Sequence, residues 1–255
     1  MDPSPNREAI AVIPARYGSA RFPGKPLVDL AGKTMIERVG ERARRATRFG
    51  RGLGATDDER VASAVRAFGG EAMPTRSDHR SGTERMAEVA AHLDAPVFVN
   101  VQGDEPLIDP AAIDLAVETL EADREIQVAT LATPIREADV LMDPNVVKAV
   151  MDFDSNALYF SRAPIPWLRD TSAGITPRYF KHIGLYVCRR EALVDFPTLP
   201  PGELERIEQL EQLRWLENGY QIRIATTEYD STSVDVPEDV PRVIERILRE
   251  EKNPA

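Results

Sequence analysis

Arg16, Arg21 and Lys25 lie in one short stretch, IPARYGSARFPGKPL, while Asp104 and Glu105 adjoin in QGDEP and Asp235 stands far downstream in SVDVPED. Three cations on one loop suit a polyanion. Two aspartates joined by phosphate oxygens make an oxygen-only shell, the kind magnesium takes while keeping some of its water. Nucleotide chemistry needs both halves, because a triphosphate repels an incoming hydroxyl until its charge is offset and its leaving group aligned. Taken singly, each feature has a plainer reading: a charged loop is usually a solvated turn, and a lone aspartate more often ends a strand or caps a helix.

The surrounding charge makes the loop unusual. The 255 residues carry 32 Lys and Arg against 42 Asp and Glu, a net charge of −10. Such a balance argues against a nucleic-acid or membrane-surface binder, since either partner needs a broad positive field. A P-loop is also excluded: five residues separate Gly18 from Gly24, and Lys25 is followed by Pro26 instead of Ser or Thr. Pro26 disfavours helical geometry at Lys25, so that lysine is expected on extended chain. No GxGxxG follows the first apolar run, which leaves a dinucleotide oxidoreductase without support.

The elements that must position these groups follow from periodicity. AIAVI and VFVNV read as buried strands, being continuous and β-branched, and both end at the charged loops, the edge where open α/β sheets place ligands. Helices are expected from Thr34, with Glu37 completing a capping box, from Asp58 to Phe68, from Thr83 to Leu93, and after Asp109 and Pro110. RGLGATDD is expected as a strand that its glycines weaken. This alternation of strand and helix predicts an α/β fold with a mainly parallel sheet. After Val128 the texture becomes strand-rich (VATLATPI, VVKAV, ALYFSR, YFKHIGLYVC), which predicts antiparallel members interrupted by the loop APIPWLRDTSAGITPR. A helix over residues 203–217, the strand QIRIAT and a last helix opened by Pro237 complete the pattern. Alternation in YFKHIGLYVC puts His182, Gly184 and Tyr186 on one face, two polar posts with a gap, although half-buried strand residues with satisfied hydrogen bonds explain them as well.

One cysteine, Cys188, and three scattered histidines exclude an internal disulfide and a cysteine-based zinc site. The opening MDPSPNREAIAVIP lacks the pattern of a signal peptide, and no run reaches transmembrane length; a cytoplasmic location without membrane contact is expected.

PARYGSARFPGKPL closely resembles the nucleotide-binding signature of the sugar cytidylyltransferases, specifically those that act on 3-deoxy-manno-octulosonate. The resemblance continues in order through TRSDHRSGTERMAE, VNVQGDEPLI, ALYFSRAPIPW, KHIGLYVCRR, IEQLEQLRWLENG and SVDVPED, so it covers nearly the whole chain. It implies a Rossmann-like nucleotidyltransferase fold (glycosyltransferase-A-like), a three-layer sandwich with a mixed sheet. It also implies one domain over 1–255, with a nucleotide part at about 9–130 and a sugar and dimerisation part at about 131–240. Catalysis falls to Arg16, Lys25, Asp104 and Asp235, and Mg2+ to Asp104 and Asp235. CTP falls to Ala15, Arg16, Arg21, Lys25, Arg76, Ser81, Gly82 and Gln102. The acidic eight-carbon sugar falls to Arg162, His182, Tyr186, Glu211 and Gln212.

The chemistry agrees with that division. Arg162 can meet a carboxylate as a fork, and Glu211 with Gln212 can read hydroxyls. The reaction implied is transfer of CMP from CTP to the anomeric hydroxyl, serving lipopolysaccharide synthesis, in a homodimer whose contact includes the loop around Trp167. A related acidic sugar, such as an 8-amino octulosonate or a sialic acid, and a nucleotide-binding regulator without turnover are the alternatives. Ser233 stands where the family form has glycine and Val236 where it has threonine, and the glycines of GLGATD depart from an apolar strand.

Overall fold

The computed structural model describes residues 8–18, 21–170, 172, 174 and 176–252. Ser19 and Ala20 of the opening loop, and Thr171, Ala173 and Ile175 of the loop expected at a dimer contact, lie outside the described residues. Two compact units divide the chain: residues 1–114 with 231–255, and residues 115–230.

The first unit is a run of βα repeats. Strand β1 (Ile10–Pro14) leads through the cationic loop to helix α1 (Met35–Ala43), then β2 (Arg51–Thr56), α2 (Glu59–Ala67), β3 (Glu71–Pro74), α3 (Gly82–His92) and β4 (Val97–Asn100). The strands lie in the order β3-β2-β1-β4 and every pairing is parallel. Caps start the helices: Thr34, Asp58 and Ser81 each accept a main-chain N–H of the first turn. The inward face of α1 is an apolar stripe set by the helical period, with Met35, Ile36 and Val39 at 0% exposure. Strand β3 is unanticipated because EAMP is short and lies at the edge, without the apolar run that marks a central strand.

Asp109 accepts the Ala111 N–H at 3.0 Å and starts α4 (Pro110–Glu121), within which the division between the units falls. The second unit holds β5 (Val128–Ile135), α5 (Ala138–Met142), β6 (Lys148–Met151), β7 (Ala157–Ser161), β8 (Tyr179–Arg189), α6 (Arg190–Asp195), α7 (Glu203–Glu208), α8 (Gln212–Glu217) and β9 (Ile222–Thr226). Strand β5 runs antiparallel to β8 and parallel to β9, while β6 pairs antiparallel with β7 and β8. The fold is thus α/β with a mixed, mainly parallel arrangement, as expected. The last helix, α9 (Val240–Lys252), belongs to the first unit and follows a 3-10 turn at Pro237–Asp239.

Two local expectations are corrected. The helix expected over residues 203–217 is broken: Gln209 has φ 54°, a left-handed conformation, between α7 and α8. The carbonyls of Glu208 and Gln209, which a continuous helix would bond internally, are instead taken by Arg162. A continuous helix would set Glu208, Glu211 and Gln212 on one edge through their three- and four-residue spacing, and the break removes that alignment. In β8, strict alternation fails as well. Thr130 faces Tyr186 and Leu131 faces Ile183, so Gly184 and Leu185 bulge out of register.

Candidate active site

The cationic loop and the two aspartates come together in the first unit. Lys25, in a 3-10 turn Lys25–Leu27 instead of the extended chain expected of it, donates from Nζ to Asp104 Oδ2 at 2.6 Å and to the Val234 carbonyl at 3.1 Å. Arg21 Nη2 lies 3.1 Å from Asp235 Oδ1. The Val234 N–H donates to the Asp104 carbonyl at 2.9 Å, which places SVDVPED beside QGDEP although 130 residues of sequence separate them. Ser233, at the position where the resemblance implies glycine, has a visible use: its Oγ donates to Asp235 Oδ2 at 3.2 Å. Val236 joins Asp235 in donating its main-chain N–H to Asp239 Oδ2.

Glycine at position 103 permits this approach. A Cβ there would stand 2.7 Å from the Pro14 carbonyl oxygen, so only glycine lets the loop after β4 close on the end of β1. Gly82, at the start of α3, sits over the Pro14 ring, where an added Cβ would be 3.4 Å from Cγ. Ala15 is buried and its N–H donates to the Ala55 carbonyl at 2.9 Å. Gly24, at φ 75°, turns the cationic loop against the Tyr17 ring, and Arg60 covers that ring at 3.4 Å from its centroid. Arg16 is exposed beside this turn, and Gln102 is half-buried just past β4.

Residues of α3 that sequence reasoning left unassigned hold the loop of residues 75–82. Arg85, 3% exposed, bonds the Thr75 hydroxyl and the Arg76 carbonyl and pairs with Asp57 at 3.2 Å. Burial draws its pKa below the ordinary arginine value, opposed by Asp57 and Glu88 and reinforced by nearby Arg16. Glu88 accepts the Arg76 N–H at 3.0 Å and pairs with His79, while Glu84 accepts the Arg80 N–H at 2.9 Å. Ser81 caps the helix, and Arg76 extends into solvent against Asp78. The four-residue spacing of Glu84 and Glu88 was the available signal, but it also fits a solvated face.

The second unit gathers the residues expected to contact the sugar. His182 and Tyr186 are 9% and 8% exposed, and their rings stand 5.4 Å apart. They touch, so the slot expected between two posts is filled by the rings themselves. The row continues from Phe160 through both rings to Trp215 and Phe196. The Thr130 hydroxyl lies 2.8 Å from the Leu185 carbonyl and 2.9 Å from His182 Nε2. It has one hydrogen, which it donates to a carbonyl, so His182 donates from Nε2 and keeps Nδ1 as an acceptor. Burial pushes the His182 pKa down to about 3 and raises that of Tyr186, to which Glu211 adds. Arg162 donates from Nε to the Glu208 carbonyl at 2.8 Å and from Nη1 to Pro144 at 3.0 Å, with Gln209 at 3.4 Å from Nη2. Among the described residues these bonds leave one N–H on each terminal nitrogen without a partner, enough for a two-pronged contact with an anion. Gln212 is buried at the start of α8, and Glu211 precedes it.

Among the described residues no group of three or more His, Cys, Asp or Glu side chains could hold a metal ion. Asp104 and Asp235 supply two hard oxygen donors on adjoining segments, a set that fits magnesium when phosphate oxygens and water complete the shell. Among the described residues no helix is long and apolar enough to cross a membrane.

Residues 10–224 match the cytidylyltransferase family. The chain is 55% identical over 237 residues to a 3-deoxy-manno-octulosonate cytidylyltransferase of Solibacter usitatus, covering 93% of each chain. It is 54% identical to the same-named protein of Syntrophotalea carbinolica, covering 91% of this chain and 96% of that one. A solved structure of CMP:2-keto-3-deoxy-manno-octonic acid synthetase complexed with CTP superposes with a TM-score of 0.90 at 42% identity, covering 95% of this chain and 99% of that one. A 4-diphosphocytidyl-2C-methyl-D-erythritol synthase from Anaerococcus prevotii shares the fold, with a TM-score of 0.62 at 13% identity over 94% of this chain and 98% of that one.

Proposed function

The chain belongs to the cytidylyltransferase family, among the 3-deoxy-manno-octulosonate cytidylyltransferases, and from that membership we propose that it transfers CMP from CTP to 3-deoxy-D-manno-octulosonate. The observation that carries the reading is the meeting of Lys25 with Asp104 and of Arg21 with Asp235 in an otherwise acidic chain.

In this reading Arg16, Arg21 and Lys25 bind the triphosphate, and the 75–82 loop with Gln102 holds the nucleoside. Asp104 and Asp235 hold Mg2+, which when bound offsets phosphate charge and aligns pyrophosphate for in-line displacement. The anomeric hydroxyl gives up its proton to solvent as its oxygen bonds to the α-phosphorus and the bond to pyrophosphate breaks, and no covalent enzyme intermediate forms. Lys25 and Arg16 stabilise the charge that grows on the leaving group. On the sugar, the remaining N–H groups of Arg162 meet the carboxylate, and Glu211, Gln212 and neutral His182 meet hydroxyls. The product serves lipopolysaccharide synthesis in the cytoplasm. A homodimer is part of the proposal, supported by exposed apolar side chains in the second unit, Trp167 at 79% and Leu158 at 63%.

A sugar panel tests this reading. With CTP and magnesium, octulosonate is expected to release pyrophosphate faster than its 8-amino analogue or a sialic acid. No release with octulosonate would refute the assignment. Asp104→Ala is expected to abolish turnover; a regulator without catalysis would be indifferent to it.

A further inference from the structure

Lys148 is fully buried at the start of β6. All three of its ammonium hydrogens are engaged by main-chain carbonyls: Val146 and Arg162 at 2.6 Å each, and Asp143 at 2.9 Å. Burying an ammonium is costly, and here it draws the pKa below the ordinary lysine value. An apolar side chain of similar length would fill the space without that cost. What the charge accomplishes shows in what its partners hold.

The carbonyl of Arg162 rests on Lys148, and the guanidinium of Arg162 reaches Pro144, in the turn that Lys148 also ties down, and the carbonyls of Glu208 and Gln209. Glu208 answers with its carboxylate. Oε2 accepts the Arg162 N–H at 2.9 Å, and Oε1 accepts the Ser161 hydroxyl at 2.6 Å. Three segments are thereby joined: the 143–146 turn, the end of β7, and the break between α7 and α8. That break leads directly into Glu211 and Gln212, and Val147, beside the turn, accepts the His182 N–H at 2.8 Å.

We infer that Lys148 and Glu208 are positioning residues for the acidic sugar. Without touching it, they hold the backbone that sets Arg162, His182, Glu211 and Gln212, and so they govern its affinity. The inference rests on the octulosonate reading above.

Full-length Lys148→Met and Glu208→Gln test it, with separate KM values for octulosonate and CTP and with CTP affinity by calorimetry. The octulosonate KM is expected to rise about tenfold or more while both CTP measures stay within about twofold, because a small displacement of positioned groups weakens only the substrate they meet. Glu208→Gln keeps the side-chain volume and decides the matter if Lys148→Met does not fold. An unchanged octulosonate KM overturns the inference. So does an equal loss toward both substrates, which marks a general loss of structure. A wild-type protein inactive on octulosonate would sink the functional reading itself, whereas an active wild type with unchanged variants would sink only the positioning role.

Discussion

Lys25 Nζ stands 2.6 Å from Asp104 Oδ2, so a cation from the opening loop and a carboxylate from QGDEP neutralise each other across 79 residues of sequence. In the proposed reaction each group changes partner when nucleotide and metal bind. Lys25→Met is therefore expected to act in two directions. Losing a charge-assisted bond to phosphate should weaken CTP binding by about tenfold or more. Asp104, relieved of its counter-ion, should bind Mn2+ more tightly when nucleotide is absent. Calorimetric titrations of each ligand alone check both signs, and weaker Mn2+ binding would refute the exchange.

Gly103→Ala places a Cβ 2.7 Å from the Pro14 carbonyl. Backbone must move, and a loss of about 1–3 kcal/mol in stability is expected, as for other overpacked sites. Gly18→Ala serves as the control, since a Cβ there meets nothing within 4 Å among the described residues. Denaturant unfolding of the two variants should separate them.

Arg85→Met removes the side chain that joins Asp57 to Thr75 and Arg76. The loop carrying Arg76, Ser81 and Gly82 should loosen, lowering CTP affinity by about tenfold with little change in the octulosonate KM. Isothermal titration with CTP and steady-state kinetics in the sugar measure the split; a change confined to the sugar KM would contradict the assignment.

His182 gives a pH dependence with a definite sign. Its pKa in the fold is about 3, below the ordinary 6.5, so the unfolded chain binds the proton more readily. Stability from this group is present above pH 6.5 and is lost as pH falls toward 3. Between pH 7 and 5 the loss is about 2 kcal/mol. His182→Gln should flatten the stability profile by that amount over the same interval, as read by urea unfolding at each pH. An unchanged slope would mean that His182 is not held neutral by burial.

Much of the fold was legible because it rests on local signals. The apolar runs of β1, β4 and β5, the caps at Thr34, Asp58 and Asp109, and the stripe on α1 depend on neighbours in sequence, and these elements formed where the pattern put them. Where a distant side chain overrode the local signal, reading failed. No glycine or proline marks position 209, yet the helix stops there because Arg162 takes its carbonyls. The alternation of β8 gave way to a bulge closed by the Thr130 hydroxyl.

By itself, the sequence determined that this is a mixed α/β protein with a cationic loop and carboxylates at strand ends, since residue type and period suffice for that. Only tertiary structure decided which charges meet. Lys25 chose Asp104, Arg21 chose Asp235, and Lys148 settled among the carbonyls of Asp143, Val146 and Arg162. An ion pair or a carbonyl cage is fixed by distance and burial, which depend on how segments far apart in the chain come to pack, and no local pattern records them.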